Sequence, residues 1–133
     1  MDELKHWLAL NMVVGVGRTI FHRLVKAFGS PENVFAVRIS DLRQVHGVGD
    51  KVATAISGFN VEQATDREMG LAEKEDIRIL TLASEEYPEL LKSIYDPPPV
   101  LYVKGKPLNK ISFPLAVVGT LLNMAKSLLI DYV

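Results

Sequence analysis

The sequence predicts a two-part α+α/β chain, an all-helical N-terminal region followed by the opening of an α/β unit. Three observations predict it. Two Gly-apolar-Gly turns, Val14-Gly15-Val16-Gly17 and His46-Gly47-Val48-Gly49, each stand between helical patterns in the first 60 residues. Apolar runs at Val100 to Val103 and Leu115 to Val118 read as strands of a parallel sheet, the second ending in Gly119-Thr120 as a Rossmann-like fold would. Such a sheet needs several strands and helices on both faces, and only 13 residues (121 to 133) follow Thr120. The α/β unit therefore reads as incomplete.

The helical region divides into short elements. Leu4, Trp7, Leu8 and Leu10 give one apolar stripe, with Trp7 as core rather than a base-stacking platform. Ile20, Leu24, Val25 and Phe28 give a second, stopped at Gly29. Ser30-Pro31-Glu32 is a helix start, with a capping hydroxyl, proline at the first helical position and an acid in the first turn; Val34 and Phe35 supply its buried face. Ser40 with Asp41 is expected to cap a short turn through Leu42 and Val45, and Gly47-Val48-Gly49 leads into a helix from Asp50 to Ile56. A longer charged helix is expected from Val61 to about Lys74, weakened at Gly70 by up to about 1 kcal/mol relative to alanine.

The second region begins with a strand over Ile77 to Leu82 and a short helix over Tyr87 to Ile94. Asp96-Pro97-Pro98-Pro99 forces an extended break before the strand pair. The expected boundaries are a helical domain over residues 1–62 and a truncated α/β domain of about three strands over 63–133, with 121–133 as an atypical tail. That tail is amphipathic through Leu121, Leu122, Ala125, Leu128 and Leu129, so it is expected to fold back as a substitute helix or to associate.

Composition narrows the function. With 133 residues and 48% apolar content the chain can bury a core as one domain or two small ones. No apolar run approaches the roughly 20 residues that span a bilayer, and Asp2, Glu3, Lys5 and His6 do not make a secretory leader, so a cytoplasmic protein is expected. Zero cysteines exclude disulfides, thiolate metal sites and cysteine nucleophiles. Residues 1–60 carry seven Lys/Arg and five Asp/Glu, about +2, and residues 61–133 carry eight and eleven, about −3. That asymmetry is too weak to announce nucleic-acid binding, so local geometry has to carry it.

The glycine turns supply that geometry. Each is a helix-hairpin-helix signature: glycines permit a tight turn, the central valine plugs the gap between helices, and free N–H groups at the next helix start face outward toward an anion such as a DNA phosphate. The candidate contacts are Gly15, Gly17 and Arg18 in the first turn and Gly47, Gly49 and Lys51 in the second. Asp50 sits where a phosphate would dock in the second and repels it, so the first is the better DNA candidate. Binding is expected to the backbone, without sequence preference, and to weaken with salt.

The order of this double-hairpin region, then EEYPELLKSIYDPPPVLYVKG, then LAVVGT, resembles the DNA-processing protein A family (DprA or Smf) over residues 1 to about 120. Tyr87-Pro88, Leu90, Leu91, Ile94, Asp96-Pro97-Pro98, Leu101 and Gly105 carry the resemblance. It implies a sterile-alpha-motif-like (SAM-like) helical domain and an extended Rossmann fold binding single-stranded DNA around Gly119 and Thr120. It also implies a role in natural transformation, protecting incoming single strands and loading the RecA recombinase, with homodimers an option in intact relatives. No cofactor, metal or membrane partner is implied.

The departure follows Thr120, where the family continues with an arginine and an A-T-x-Y-G segment and this chain reads Leu121-Leu122-Asn123-Met124. Codons compatible with the tail, read from the third base of an ACG threonine codon, spell A-T-E-Y-G-K-V-I-A-D-R-L. A frameshift after Thr120 is the corresponding expectation, which nucleotide sequence at the locus tests.

Remaining residues have structural readings. His6, His22 and His46 lack metal-ligand spacing. The Glu85-Glu86 pair is expected to compensate a helix-start dipole rather than act as a catalytic pair. Asp96 turns the chain before the prolines, and Lys104, Lys106 and Lys110 form a small solvated basic cluster. A Rossmann nucleotide-processing enzyme is the rival of another class, but its G-G-G-x-x-G-x-M-G loop is absent; a helical protein-interaction module is the third reading. The chain is therefore read as a binding protein, not an enzyme.

Overall fold

The computed structural model describes the backbone of residues 2–105 and 129–130, with side chains from Glu3 to Gly105. The elements are α1 (Asp2–Met12), α2 (Arg18–Phe28), α3 (Pro31–Ala36), α4 (Ile39–Leu42), α5 (Asp50–Ser57), α6 (Val61–Lys74), β1 (Arg78–Thr81), α7 (Glu89–Lys92), β2 (Val100–Val103) and β3 (Leu129–Ile130). They fall into two compact units that divide between Asp66 and Arg67. No helix among the described residues is long and apolar enough to cross a membrane.

In the first unit the periodic stripes converge on one core of Leu10, Val13, Val16, Phe21, Leu24, Val34, Leu42, Val48, Ala53 and Ile56. Trp7 packs against it, stacked on Phe21 at a ring separation of 5.4 Å. Helix α2 stops where Gly29 turns to φ +94° and donates its N–H to Val25 O at 2.7 Å. Ser30 Oγ then accepts the Asn33 N–H at 3.2 Å, with Pro31 in the first helical position of α3. Asn33 Nδ2 donates back to Phe28 O at 2.8 Å, satisfying a carbonyl in the last turn of α2. Lys5 of α1 reaches Glu62 at 2.8 Å and Asp66 at 3.0 Å, and these two carboxylates raise its ammonium pKa well above the usual range.

Helix α4 corrects one expectation. Its N-cap is Arg38, whose carbonyl accepts the Leu42 N–H at 3.1 Å, and Ser40 lies inside the turn. Full burial of Leu42 and partial burial of Ile39 fix that phase, which outweighs the hydroxyl's preference for a cap.

In the second unit β2 is central, with sheet order β1-β2-β3. Strand β1 pairs with it antiparallel, from Arg78 opposite Val103 to Thr81 opposite Val100. Strand β3 pairs parallel, with Tyr102 opposite Leu129 and Val103 opposite Ile130. Leu80, Tyr87, Leu101 and Val103 form the core, flanked by Leu82 and Leu91. The expected strand at 115–118 lies outside the described residues. Leu129, expected on an amphipathic helix, is instead extended in β3, where its backbone meets the open edge of β2.

The segment between β1 and β2 is tied at both ends. Tyr87 is buried, and its hydroxyl donates to Pro98 O at 2.7 Å, so it belongs to the core and α7 begins only at Glu89, after the extended Pro88. Arg78 donates to Glu86 through Nε at 3.2 Å and also through Nη2, while its Nη1 donates to Gly105 O at 2.6 Å. Glu86 is thus the partner of Arg78 and not a helix-start acid; that place is taken by Glu89. Asp96 turns the chain with φ +50° ahead of Pro97. Tyr102 donates to Glu68 Oε1 at 3.0 Å, and burial together with that carboxylate raises its phenol pKa well above 10.

Two outcomes follow for stability. Gly70 is exposed and mid-helix, and a methyl group on its Cα would meet nothing within 4 Å, so Gly70→Ala should stabilise the chain by about 0.5–1 kcal/mol in urea unfolding. Because the folded state keeps the Tyr102 proton that the unfolded chain releases near pH 10, its contribution is full below pH 10 and declines as pH rises beyond it. Tyr102→Phe should flatten the alkaline limb of a thermal-melting profile, with the parent losing more melting temperature between neutral and alkaline pH.

Candidate nucleic-acid interface

The two glycine turns of the first unit have one backbone design. Gly15 and Gly47 take φ +94° and +91°, a left-handed conformation that any side chain would strain. The following valines are buried and close the turn, Val16 N–H to Val13 O at 3.1 Å and Val48 N–H to Val45 O at 3.0 Å. Gly17 and Gly49 are extended, at φ −89° and −94°, and serve as N-caps of α2 and α5 without a side-chain cap. The first intrahelical bonds are Phe21 N–H to Gly17 O and Ala53 N–H to Gly49 O, both at 2.9 Å. The amides preceding these donors lie at the positive end of each helix, oriented out of it.

The turns also interlock. A Cβ placed on Gly15 would lie 2.9 Å from Val52 Cγ2 of α5, and one on Gly47 would lie 2.5 Å from Ile20 Cδ1 of α2. Each turn is therefore roofed by the third residue after the other turn's capping glycine. Gly15 and Gly47, Gly17 and Gly49, and Ile20 and Val52 occupy equivalent places in an internal repeat, so the pair has a local two-fold relationship.

Side chains break that equivalence. Arg18 follows the first turn, exposed, at the N-terminus of α2; its counterpart is Asp50, whose Oδ1 accepts from Arg43 Nη1 at 2.9 Å. Arg23 of α2 crosses to the second turn and donates to His46 O at 3.2 Å. Lys51 is exposed beside Asp50. Val14 is 79% exposed at the first turn, where the second has His46.

The structure thus brings Gly15, Gly17, Arg18, Gly47, Gly49 and Lys51 onto adjoining turns. Gly119 and Thr120 lie outside the described residues, as do Lys106 and Lys110 of the basic cluster; Lys104 is exposed just past β2. His6 and His22 lie against the rings of Phe35 and Phe21, at 6.1 and 6.0 Å. Sequence reasoning missed Arg23 and Arg43. Arg43 carried no signal, since it follows a four-residue helix and meets its partner seven residues later across an irregular turn.

Residues 78–127 match the family profile described as DNA recombination-mediator protein A. Over 105 residues, 79% of the chain, it is 34% identical to Protein Smf of Synechocystis sp.. The chain spans about a quarter of that relative's length, 26%. No solved structure matches significantly. The profile match across β1, the Tyr-Pro segment and β2, with the longer alignment to Smf, places the chain in the DprA/Smf family of DNA recombination-mediator proteins.

Proposed function

We propose that the chain acts in DNA processing by gripping the sugar–phosphate backbone of single-stranded DNA, in the cytoplasm and without covalent chemistry. The observation that carries this reading is the first turn: extended Gly17 opens the amide end of an 11-residue helix, and exposed Arg18 stands directly beside it. Backbone N–H groups and a helix dipole attract an anion, and a guanidinium adds a charge-assisted contact. Gly47, Gly49 and Lys51 contribute less, because Asp50 intervenes.

The folds expected for the two units, a SAM-like helix-hairpin-helix domain over 1–62 and the start of a Rossmann-like domain over 63–133, accord with this role. Membership of a recombination-mediator family supports natural transformation as the setting and RecA as the protein to which the strand is passed. In that scheme Gly119 and Thr120 belong to a second DNA contact on the α/β unit.

Binding of a labelled single-stranded oligonucleotide, followed by anisotropy from low to moderate salt, tests the reading. Affinity should fall steeply with salt, and Arg18→Ala should weaken it by about threefold to tenfold while reducing the slope of log K against log salt by about 1. Salt-insensitive binding, or an Arg18→Ala protein indistinguishable from the parent, would contradict it.

A further inference from the structure

We infer that Asp50 determines the strand preference of this surface, closing the second turn to phosphate so that the first engages one backbone alone. The inference rests on the DNA-backbone reading above and adds to it the residue that makes the choice between one strand and two.

Gly15 under Val52 and Gly47 under Ile20 are reciprocal contacts, the pattern that a local two-fold relationship between the two turns produces. The strands of a duplex run antiparallel and are related by two-fold axes too. A pair of equivalent phosphate-gripping turns with this symmetry would suit both strands together. A single strand has no such axis and needs only one turn.

The repeat is broken at the position that decides between these cases. Where the first copy has Arg18, the second has Asp50, the first residue of α5, with its side chain 81% exposed. A carboxylate at that place is favoured by the helix dipole and repels an arriving phosphate. It also accepts from the guanidinium of Arg43 on the surface, so a neighbouring cation is already engaged by a protein acid. Arg23, the cation contributed by α2, is likewise turned to the carbonyl of His46. Lys51 is exposed and directly follows Asp50, whereas Arg18 has no acid in the first turn of its helix α2.

Anisotropy with one labelled oligonucleotide, presented alone and annealed to its complement at low salt, tests this. The parent should prefer the single strand. Asp50→Arg, which restores the equivalent of Arg18, should raise duplex affinity by about fivefold or more, the scale of one exposed charge contact, and single-strand affinity distinctly less. Asp50→Asn should act in the same direction by a smaller factor. Arg43→Gln, which leaves Asp50 unneutralised, should lower duplex affinity. Far-ultraviolet circular dichroism and melting temperature establish that each variant is folded. Equal gains for both ligands, or unchanged duplex affinity in folded Asp50→Arg, would overturn the inference. An unaltered Arg18→Ala protein would instead sink the underlying reading, so the two failures are distinct.

Discussion

Reciprocal packing of two glycine turns is the constraint on which the helical unit depends. Each turn has a left-handed glycine with a branched aliphatic side chain from the opposite repeat pressed where a Cβ would be. The valines between the glycines, Val16 and Val48, are driven into the common core by the same contact. The positions of α2 and α5, and hence of their amide ends, are consequences of this packing. No ion pair is needed to set them, which fits the small net contribution of exposed charge pairs such as Arg43–Asp50.

The second unit is organised by a different device. Its segment between β1 and β2 contains three consecutive prolines, which donate no backbone hydrogen bonds and cannot form a ladder. Tyr87 compensates by supplying a hydroxyl to Pro98 O from inside the core, and Arg78 links Glu86 beside the Tyr-Pro pair to Gly105, two residues past β2. Several residues that carry the family resemblance therefore have structural roles here: Tyr87 and Leu101 are core, and Gly105 supplies the carbonyl that Arg78 holds. Their packing and hydrogen bonds hold the second unit together.

Much of the helical unit was legible in the sequence because its determinants are local. Gly29, Ser30-Pro31 and the two Gly-apolar-Gly turns act within a few residues, and the 3.6-residue stripes name the core directly. What was illegible depends on distance. Glu86 looked like a helix-start acid until Arg78, eight residues earlier on β1, was placed beside it. Tyr102 finds Glu68 across 34 residues, and Arg23 finds the second turn across 23. Ser40 failed as a cap because the burial of Leu42, a tertiary effect, chose the phase of α4. The candidate site was half legible: the turns and Arg18 were readable, whereas the pairing that restrains Asp50 was not.

The interlocked turns also tie the histories of residues far apart in the chain. Ile20 and Gly47 share one small volume, as do Val52 and Gly15, so bulk gained on one side must be given up on the other. Among related chains, side-chain size should trade off within each of these two pairs. Neither repeat can drift on its own, and neither would be expected to hold its turn if severed from its twin.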